Sequence, residues 1–348
     1  MTSGTSTDEL PAVDALIWHQ ASGLSAATVA IIDAPELAGQ QLTGSVRVWC
    51  DALADEAGVA ADLLADEPSS ALADADLVLL TLPKSLSALD EWCELICRHA
   101  APGVRLVSGG RVKHMSRGMN EVLARHFGEV RASLGVRKAR VLHASMPRRS
   151  GEEVALTYPR RSSQRITLAD GERDVSLLCH GGVFAEGRID AGTRLLLNSA
   201  EQWRPARDVV DLGCGSGILA LAAKIVQSTA TVLATDESYA ACRSAEATLA
   251  ENGVDVEVEW SDGLSSRPDT SADLILLNPP FHQGTAKESG PAMTMIADAR
   301  RVLRRDGELW TVFNAHLPYL PLMREVVGST QIAARNRNYV LTRSRRAQ

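Results

Sequence analysis

The densest chemistry in the chain lies in Asn278-Pro279-Pro280-Phe281-His282, which follows the apolar run 274–277. The side-chain oxygen of Asn278 and the backbone carbonyl of Pro279 can together accept both hydrogens of a planar exocyclic amine. Such an amine is a poor nucleophile, because its lone pair is delocalised into the ring. Two well-placed acceptors favour the rehybridised nitrogen that develops in the transition state. Two prolines stiffen the turn and lower the cost of ordering it. Phe281 offers a stacking face to a base taken out of its strand. His282 either touches a phosphate of the target or packs.

A second constellation lies upstream. Gly213-Cys214-Gly215-Ser216-Gly217 stands between an apolar run ending in Asp211 and a helical pattern. Glycines there permit positive φ and let backbone approach a ligand without a Cβ in the way. A turn of this kind also suits dinucleotides. The Gly-x-Gly-x-Gly spacing and the acid at the strand end favour S-adenosylmethionine, with Asp211 holding the donor's ammonium group. Gly213, Cys214, Gly215 and Gly217 form the cradle, and Cys214 fills space there rather than acting as a nucleophile. Asp236, or Glu237 beside it, is placed for the ribose hydroxyls, 23 residues after Gly213. Asp262, followed by Gly263, is placed for the adenine amino group. Three successive carboxylates at strand ends converge on the open carboxyl edge of a sheet.

The elements that must position these groups follow from periodicity. Short apolar β-rich runs alternate with helical patterns, which predicts an α/β protein with parallel sheets flanked by helices. In the second half strands are expected at 209–211, 231–235, 256–260, 274–277 and 308–313, with a late pair at 332–334 and 339–342. Helices are expected at 218–227, 238–252 and 292–303. The first half repeats the plan at 29–33, 46–51, 76–84 and 103–109, without the working residues. Ala34-Pro35 follows Asp33 where the second copy has its glycine turn, and Thr81-Leu82-Pro83-Lys84 stands where it has Asn278 to Phe281. The expectation is two tandem Rossmann-like domains, a degenerate one at 1–160 and a catalytic one at 165–348 with a seven-stranded, mostly parallel sheet. The polar run 158–164 reads as the linker.

Bulk properties narrow the class. The 348 residues are 45% apolar and 23% charged, and no apolar run approaches the ~18 residues of a membrane span. The first residues lack the basic and apolar regions of an export signal. Six scattered cysteines show no zinc-like spacing, so a cytoplasmic, metal-free protein with reduced thiols is expected. The expected state is a monomer. The net charge of −7 conceals a polarity: residues 1–97 hold two basic and sixteen acidic side chains, residues 98–161 fourteen basic and four acidic. The basic block is either a local positive field for a polyanion or a solvated face.

At these residues the chain resembles class I S-adenosylmethionine-dependent methyltransferases. Over nearly its full length it is similar to the ribosomal RNA guanine-N2 methyltransferases, which carry a degenerate first domain. The carrying segments are Gly182-Val183-Phe184, 189–196, the 211–217 turn, 278–284 and 314–319. Leu82-Pro83-Lys84, Gly109-Gly110-Arg111-Val112-Lys113 and Lys138-Ala139-Arg140 look more like the large-subunit enzyme than the small-subunit one. The resemblance implies methyl transfer to a guanine N2 of 23S ribosomal RNA, with 16S ribosomal RNA as the alternative. It places Phe184 on the loop over the donor. It also makes the basic block the surface that holds ribosomal RNA or a subunit precursor, through Lys113, Arg137, Lys138 and Arg140 with His282 near the target. Two other readings are an adenine-amine or protein-amide methyltransferase and a non-catalytic RNA-binding assembly factor. Phe281 and the duplicated first half count against the former, the intact Gly213, Gly215, Asp236 and Asn278 against the latter.

Overall fold

A computed structural model describes residues 10–149, 154–168, 171–280 and 290–347, and the chain divides into two units, Met1–Tyr158 and Pro159–Gln348. The first unit runs α1 (Ala12–Ala21), β1 (Thr28–Ile32), β2 (Ser45–Trp49), α2 (Pro68–Leu72), β3 (Leu77–Thr81), α3 (Leu86–His99), β4 (Arg105–Arg111), α4 (Arg117–His126), β5 (Phe127–Ala132) and β6 (Ala139–Pro147). Its strands form one sheet in the order β2-β1-β3-β4-β6-β5, parallel except for the last two.

The second unit begins with the hairpin β7 (Arg160–Leu168) and β8 (Gly171–Cys179), then α5 (Ala191–Leu197). It continues with β9 (Asp208–Leu212), α6 (Ile218–Val226), β10 (Thr231–Asp236), α7 (Tyr239–Glu251), β11 (Glu257–Trp260) and β12 (Ala272–Leu277). Last come α8 (Gly290–Val302), β13 (Leu303–Asn314), α9 (Tyr319–Val326), β14 (Gly328–Arg335) and β15 (Tyr339–Arg346). The sheet order β11-β10-β9-β12-β13-β15-β14 is the seven-stranded, mostly parallel arrangement expected.

Removing β11 leaves an order that maps strand for strand onto the first unit. What stands in place of β11 there is a single parallel bridge, Val48 to Leu64. In place of the thirteen-residue α7 the first unit has a four-residue 3-10 turn, Leu53–Glu56. The copy without working residues has thus also lost the elements that flank a donor's ribose and base.

Both faces of the second sheet are apolar, as crossover helices on each side require. Val209, Leu274 and Leu276 pack toward α5, α6 and α7, while Val210, Leu212, Ile275 and Leu277 pack toward α8 and α9.

The boundary between the two units falls within the polar run 158–164, between Tyr158 and Pro159. From Arg160 onward the run is strand β7, paired residue for residue with β8. Its burial alternates, with Arg161, Ser163 and Arg165 exposed and Ser162 and Gln164 half-buried, so polar composition hides the strand. The unpaired side of β8 is closed by a helix. Backbone N–H groups of Ser176, Leu178 and His180 donate to the side chains of Asn252, Thr248 and Ser244 at 3.2, 3.0 and 2.8 Å. Four helical residues advance about 6 Å and two strand residues about 6.6 Å, so α7 and β8 match in register. The edge strand is satisfied without another chain.

Candidate active site

The glycine turn leaves β9 and is pinned at once to β10. Gly213 and Cys214 both donate their N–H to the carbonyl of Thr235, at 2.8 and 3.0 Å. Gly213 and Gly215 take φ of +73° and +53°, which L side chains rarely adopt. A Cβ on Gly215 would meet nothing within 4 Å, so this backbone faces open space. Asp236, at the end of β10, accepts from Gly215 N–H and from Ser238 N–H, each at 3.0 Å. Those two donors hold its carboxylate at the rim of the turn, whereas Glu237 is exposed.

These groups line a cavity of about 620 Å³ together with Asp262, Gly263, Phe184, Asn278 and Pro279. That volume suits a nucleoside-sized ligand. The Gly215 cradle and the fixed carboxylate at the end of β10 fit S-adenosylmethionine.

Two of the expected donor residues have other tasks and are not among the cavity's lining. Gly217 caps α6 at φ +75°, and a Cβ there would come within 2.9 Å of Ala245 on α7. Its small size serves helix packing. Asp211 is fully buried and accepts from Ala220 N–H at 2.9 Å, tying β9 to the first turn of α6. Its other oxygen has no hydrogen-bond partner among the described residues. Burial, with the charge of Asp236 adding to it and the Ala220 contact opposing, raises its carboxyl from 3.8 to about 7. Between those values the folded chain binds more protons than the unfolded one, so this group's stabilisation fades as pH rises through the window. Asp211→Asn keeps an acceptor for Ala220. It should flatten the fall in melting temperature between pH 5 and 8, and an unaltered fall would place that proton elsewhere.

The acceptor half is built around Asn278, just past β12. Its amide nitrogen donates to Asp190 Oδ2 at 3.2 Å and to Thr193 Oγ1 at 2.8 Å. A carboxylate can only accept, so Asp190 dictates the amide's orientation. Both N–H groups are used, so Oδ1 keeps its acceptor capacity in a residue that lines the cavity. Asp190 itself is set by a second duty: its Oδ1 caps α5, accepting from Gly192 and Thr193 N–H at 2.8 and 3.2 Å. Phe281 and His282 lie outside the described residues.

Phe184 is 68% exposed and lines the same cavity. Ala185, Glu186 and Gly187 after it all have positive φ, at 63°, 47° and 78°. Gln164 of β7 donates to the Gly187 carbonyl at 3.1 Å, so β7 anchors this loop.

Asp190, Thr193 and Asn314 lie in the segments 189–196 and 314–319 that carry the resemblance, but the sequence assigns neither them nor Tyr339 to the site, because their contacts with Asn278 or the cavity span long separations in sequence. Thr193 is 6% exposed. Thr193→Val should lower turnover about tenfold, the equivalent of one hydrogen bond, with donor affinity unchanged and Thr193→Ser near wild type. Full activity in the valine variant would remove Thr193 from the positioning of Asn278.

In the first unit, the structure sorts the basic block. Arg125 pairs with Asp90, Arg131 with Glu129 and Arg117 with Glu121. Lys113, Arg137, Lys138 and Arg140 are exposed and have no acidic partner among the described residues. Lys113 follows β4, and the other three lie at and beside the turn between β5 and β6, next to the end of β4. Slight desolvation and the nearby Lys113, Lys84 and Arg111 lower the His114 pKa. The carboxyl end of β4 and the adjoining β5–β6 turn are thus cationic, while Asp33, Asp51 and Asp55 gather past β1 and β2.

Among the described residues no cluster of three His, Cys, Asp or Glu could hold a metal ion, and no helix is long and apolar enough to cross a membrane. Residues 174–343 match the family model for the methyltransferase small domain, and residues 54–148 that for the RLMG N-terminal domain. A ribosomal RNA large subunit methyltransferase G of Streptomyces coelicolor is 36% identical over 77% of this chain and 71% of its own length. One from Pseudomonas syringae pv. tomato is 38% identical over 74% and 68%. A Thermus thermophilus 16S rRNA N2 G1207 methyltransferase, solved with AdoMet and guanosine, shares the fold with a TM-score of 0.78 at 23% identity, over 97% of this chain and 93% of that one.

Proposed function

We propose a function from one premise: the chain belongs to the ribosomal RNA large subunit methyltransferase G family. It is an S-adenosylmethionine-dependent enzyme, and its acceptor is the exocyclic N2 of a guanine in large-subunit ribosomal RNA. The observation that carries this reading is the locked amide of Asn278, a cavity-lining residue whose nitrogen is committed to Asp190 and Thr193 and whose oxygen therefore remains to accept.

S-adenosylmethionine supplies an electrophilic methyl group on its sulfonium. Gly213, Gly215, Asp236 and Asp262 hold it, with Phe184 over it. Asn278 Oδ1 and the Pro279 carbonyl accept the two hydrogens of the guanine amine and draw its lone pair out of conjugation. Phe281 stacks on the base. No charged base is required, because the methylated ammonium is acidic enough to release its proton to water.

The cationic end of β4 and the β5–β6 turn hold the RNA by its phosphates, through Lys113, Arg137, Lys138 and Arg140, without reading bases. The substrate is ribosomal RNA, free or in a subunit precursor. The enzyme works as a monomer, and in the cytoplasm, where six free, buried cysteines stay reduced.

The test is nucleoside analysis of ribosomal RNA from a deletion strain. One N2-methylguanosine should vanish from 23S ribosomal RNA and return with the wild-type gene. An unchanged 23S complement would refute the assigned acceptor.

A further inference from the structure

The two units share one more element than a donor site requires. Each ends its sheet with an antiparallel hairpin whose tip sits at the carboxyl end of the neighbouring strand. In the first unit Ala139 opens β6 opposite Arg111, and in the second Tyr339 opens β15 opposite Asn314. The tips are held alike. Val112 N–H donates to the Lys138 carbonyl at 2.9 Å, and Ala315 N–H to the Asn338 carbonyl at 2.8 Å. Val136 N–H donates to Ala139 at 2.9 Å and Asn336 N–H to Tyr339 at 3.0 Å. Arg137 and Arg337 therefore occupy the same turn position. Where the first copy lost its glycine turn, its α7 and its Asn278, it kept a basic tip.

The second tip is built rather than loose. Asn336 Oδ1 accepts from the N–H groups of Asn338 and Tyr339, at 2.9 and 2.8 Å. It also stands beside the acceptor half of the cavity, which Asn314 and Tyr339 line. A Cβ on Gly192 would lie 3.4 Å from the Tyr339 ring and 3.5 Å from Asn278 Oδ1, so ring and amide flank the same residue. Residues 327–348 contain five arginines and no acid. Arg343 and Arg345 are engaged by the buried Glu308. Arg335 and Arg337 are exposed, with no acidic partner among the described residues.

We propose that the β14–β15 tip is a phosphate clamp for RNA, in which Arg335 and Arg337 hold the backbone next to the nucleotide that enters beside Asn278. This rests on the ribosomal RNA reading above and adds to it a contact surface on the catalytic unit itself. Such contacts position the strand and carry no base information.

The experiment compares full-length wild type with Arg335→Glu/Arg337→Glu, measuring binding to a 23S ribosomal RNA transcript over a range of salt. The reversed pair should weaken binding at least tenfold and cut the salt slope by about two released counterions. Calorimetry with S-adenosylmethionine should give wild-type affinity and so report an intact fold. Arg335→Lys/Arg337→Lys should stay within a few-fold of wild type. Wild-type affinity and slope in the reversed pair would overturn the proposal. So would an equal loss in Arg207→Glu/Arg305→Glu, on the amino edge of the same sheet, since that is a general charge effect. Wild-type protein that leaves 23S ribosomal RNA unbound would instead bring down the acceptor reading on which the clamp depends.

Discussion

An Asn278→Ala variant should lose roughly 10²-fold in turnover while binding S-adenosylmethionine with unchanged affinity. The split follows from where the amide is held. Its nitrogen is spent on Asp190 and Thr193, so truncation removes one acceptor from the amine and leaves the donor cradle on β9 and β10 untouched. The lost contact is stronger in the transition state than in the ground state, so the effect falls on kcat. Single-turnover rates with saturating donor, beside calorimetric affinity, measure the two quantities. Equal losses in both would make Asn278 a binding residue rather than part of the acceptor machinery.

The complementary variant is Asp236→Ala, for which donor affinity should fall about 10²-fold with turnover at saturating donor within a few-fold of wild type. Hydrogen bonds to a charged group contribute about 1.5–3 kcal/mol each, and tenfold in affinity is about 1.4 kcal/mol. Removing this carboxylate forfeits the ribose contacts and also frees Gly215 N–H, which shapes the turn. Glu237→Ala should be close to neutral, because that side chain is exposed and its neighbour already sits at the rim. A large loss at Glu237 with none at Asp236 would reverse the assignment.

What the sequence made legible was local. A glycine turn, a strand-end acid and an Asn-Pro-Pro turn each declare themselves within a few residues, and strands buried on both faces read as apolar runs. The same locality explains the failures. Asp190 and Thr193 meet Asn278 across 88 and 85 residues, and neither type looks unusual where it stands. Asp211 looked like a ligand because it ends a strand before the glycines, but its burial depends on α6 folding back over it. β7 stayed hidden because Ser162 and Gln164 are polar even on its half-buried face, and only pairing with β8 makes it a strand. The duplication was visible as two runs of matching strands. That the worn copy kept a basic tip emerged from hydrogen bonds alone.

The six cysteines, three in each unit, are free and buried. Burial raises the thiols of Cys50, Cys97 and Cys179 to about 12, 11 and 11 and pushes that of Cys93 well up, and the contact with Cys242, with burial added, pushes up that of Cys214. Since only thiolate reacts readily, native protein should resist maleimide and be labelled through transient opening. Labelling followed by peptide mass spectrometry then becomes a pair of clocks, Cys50, Cys93 and Cys97 timing one unit and Cys179, Cys214 and Cys242 the other. S-adenosylmethionine should slow the clock at Cys214, which lies in the cradle, and leave that at Cys50 running as before. The catalytic copy and its retired twin can thus be timed separately within a single chain.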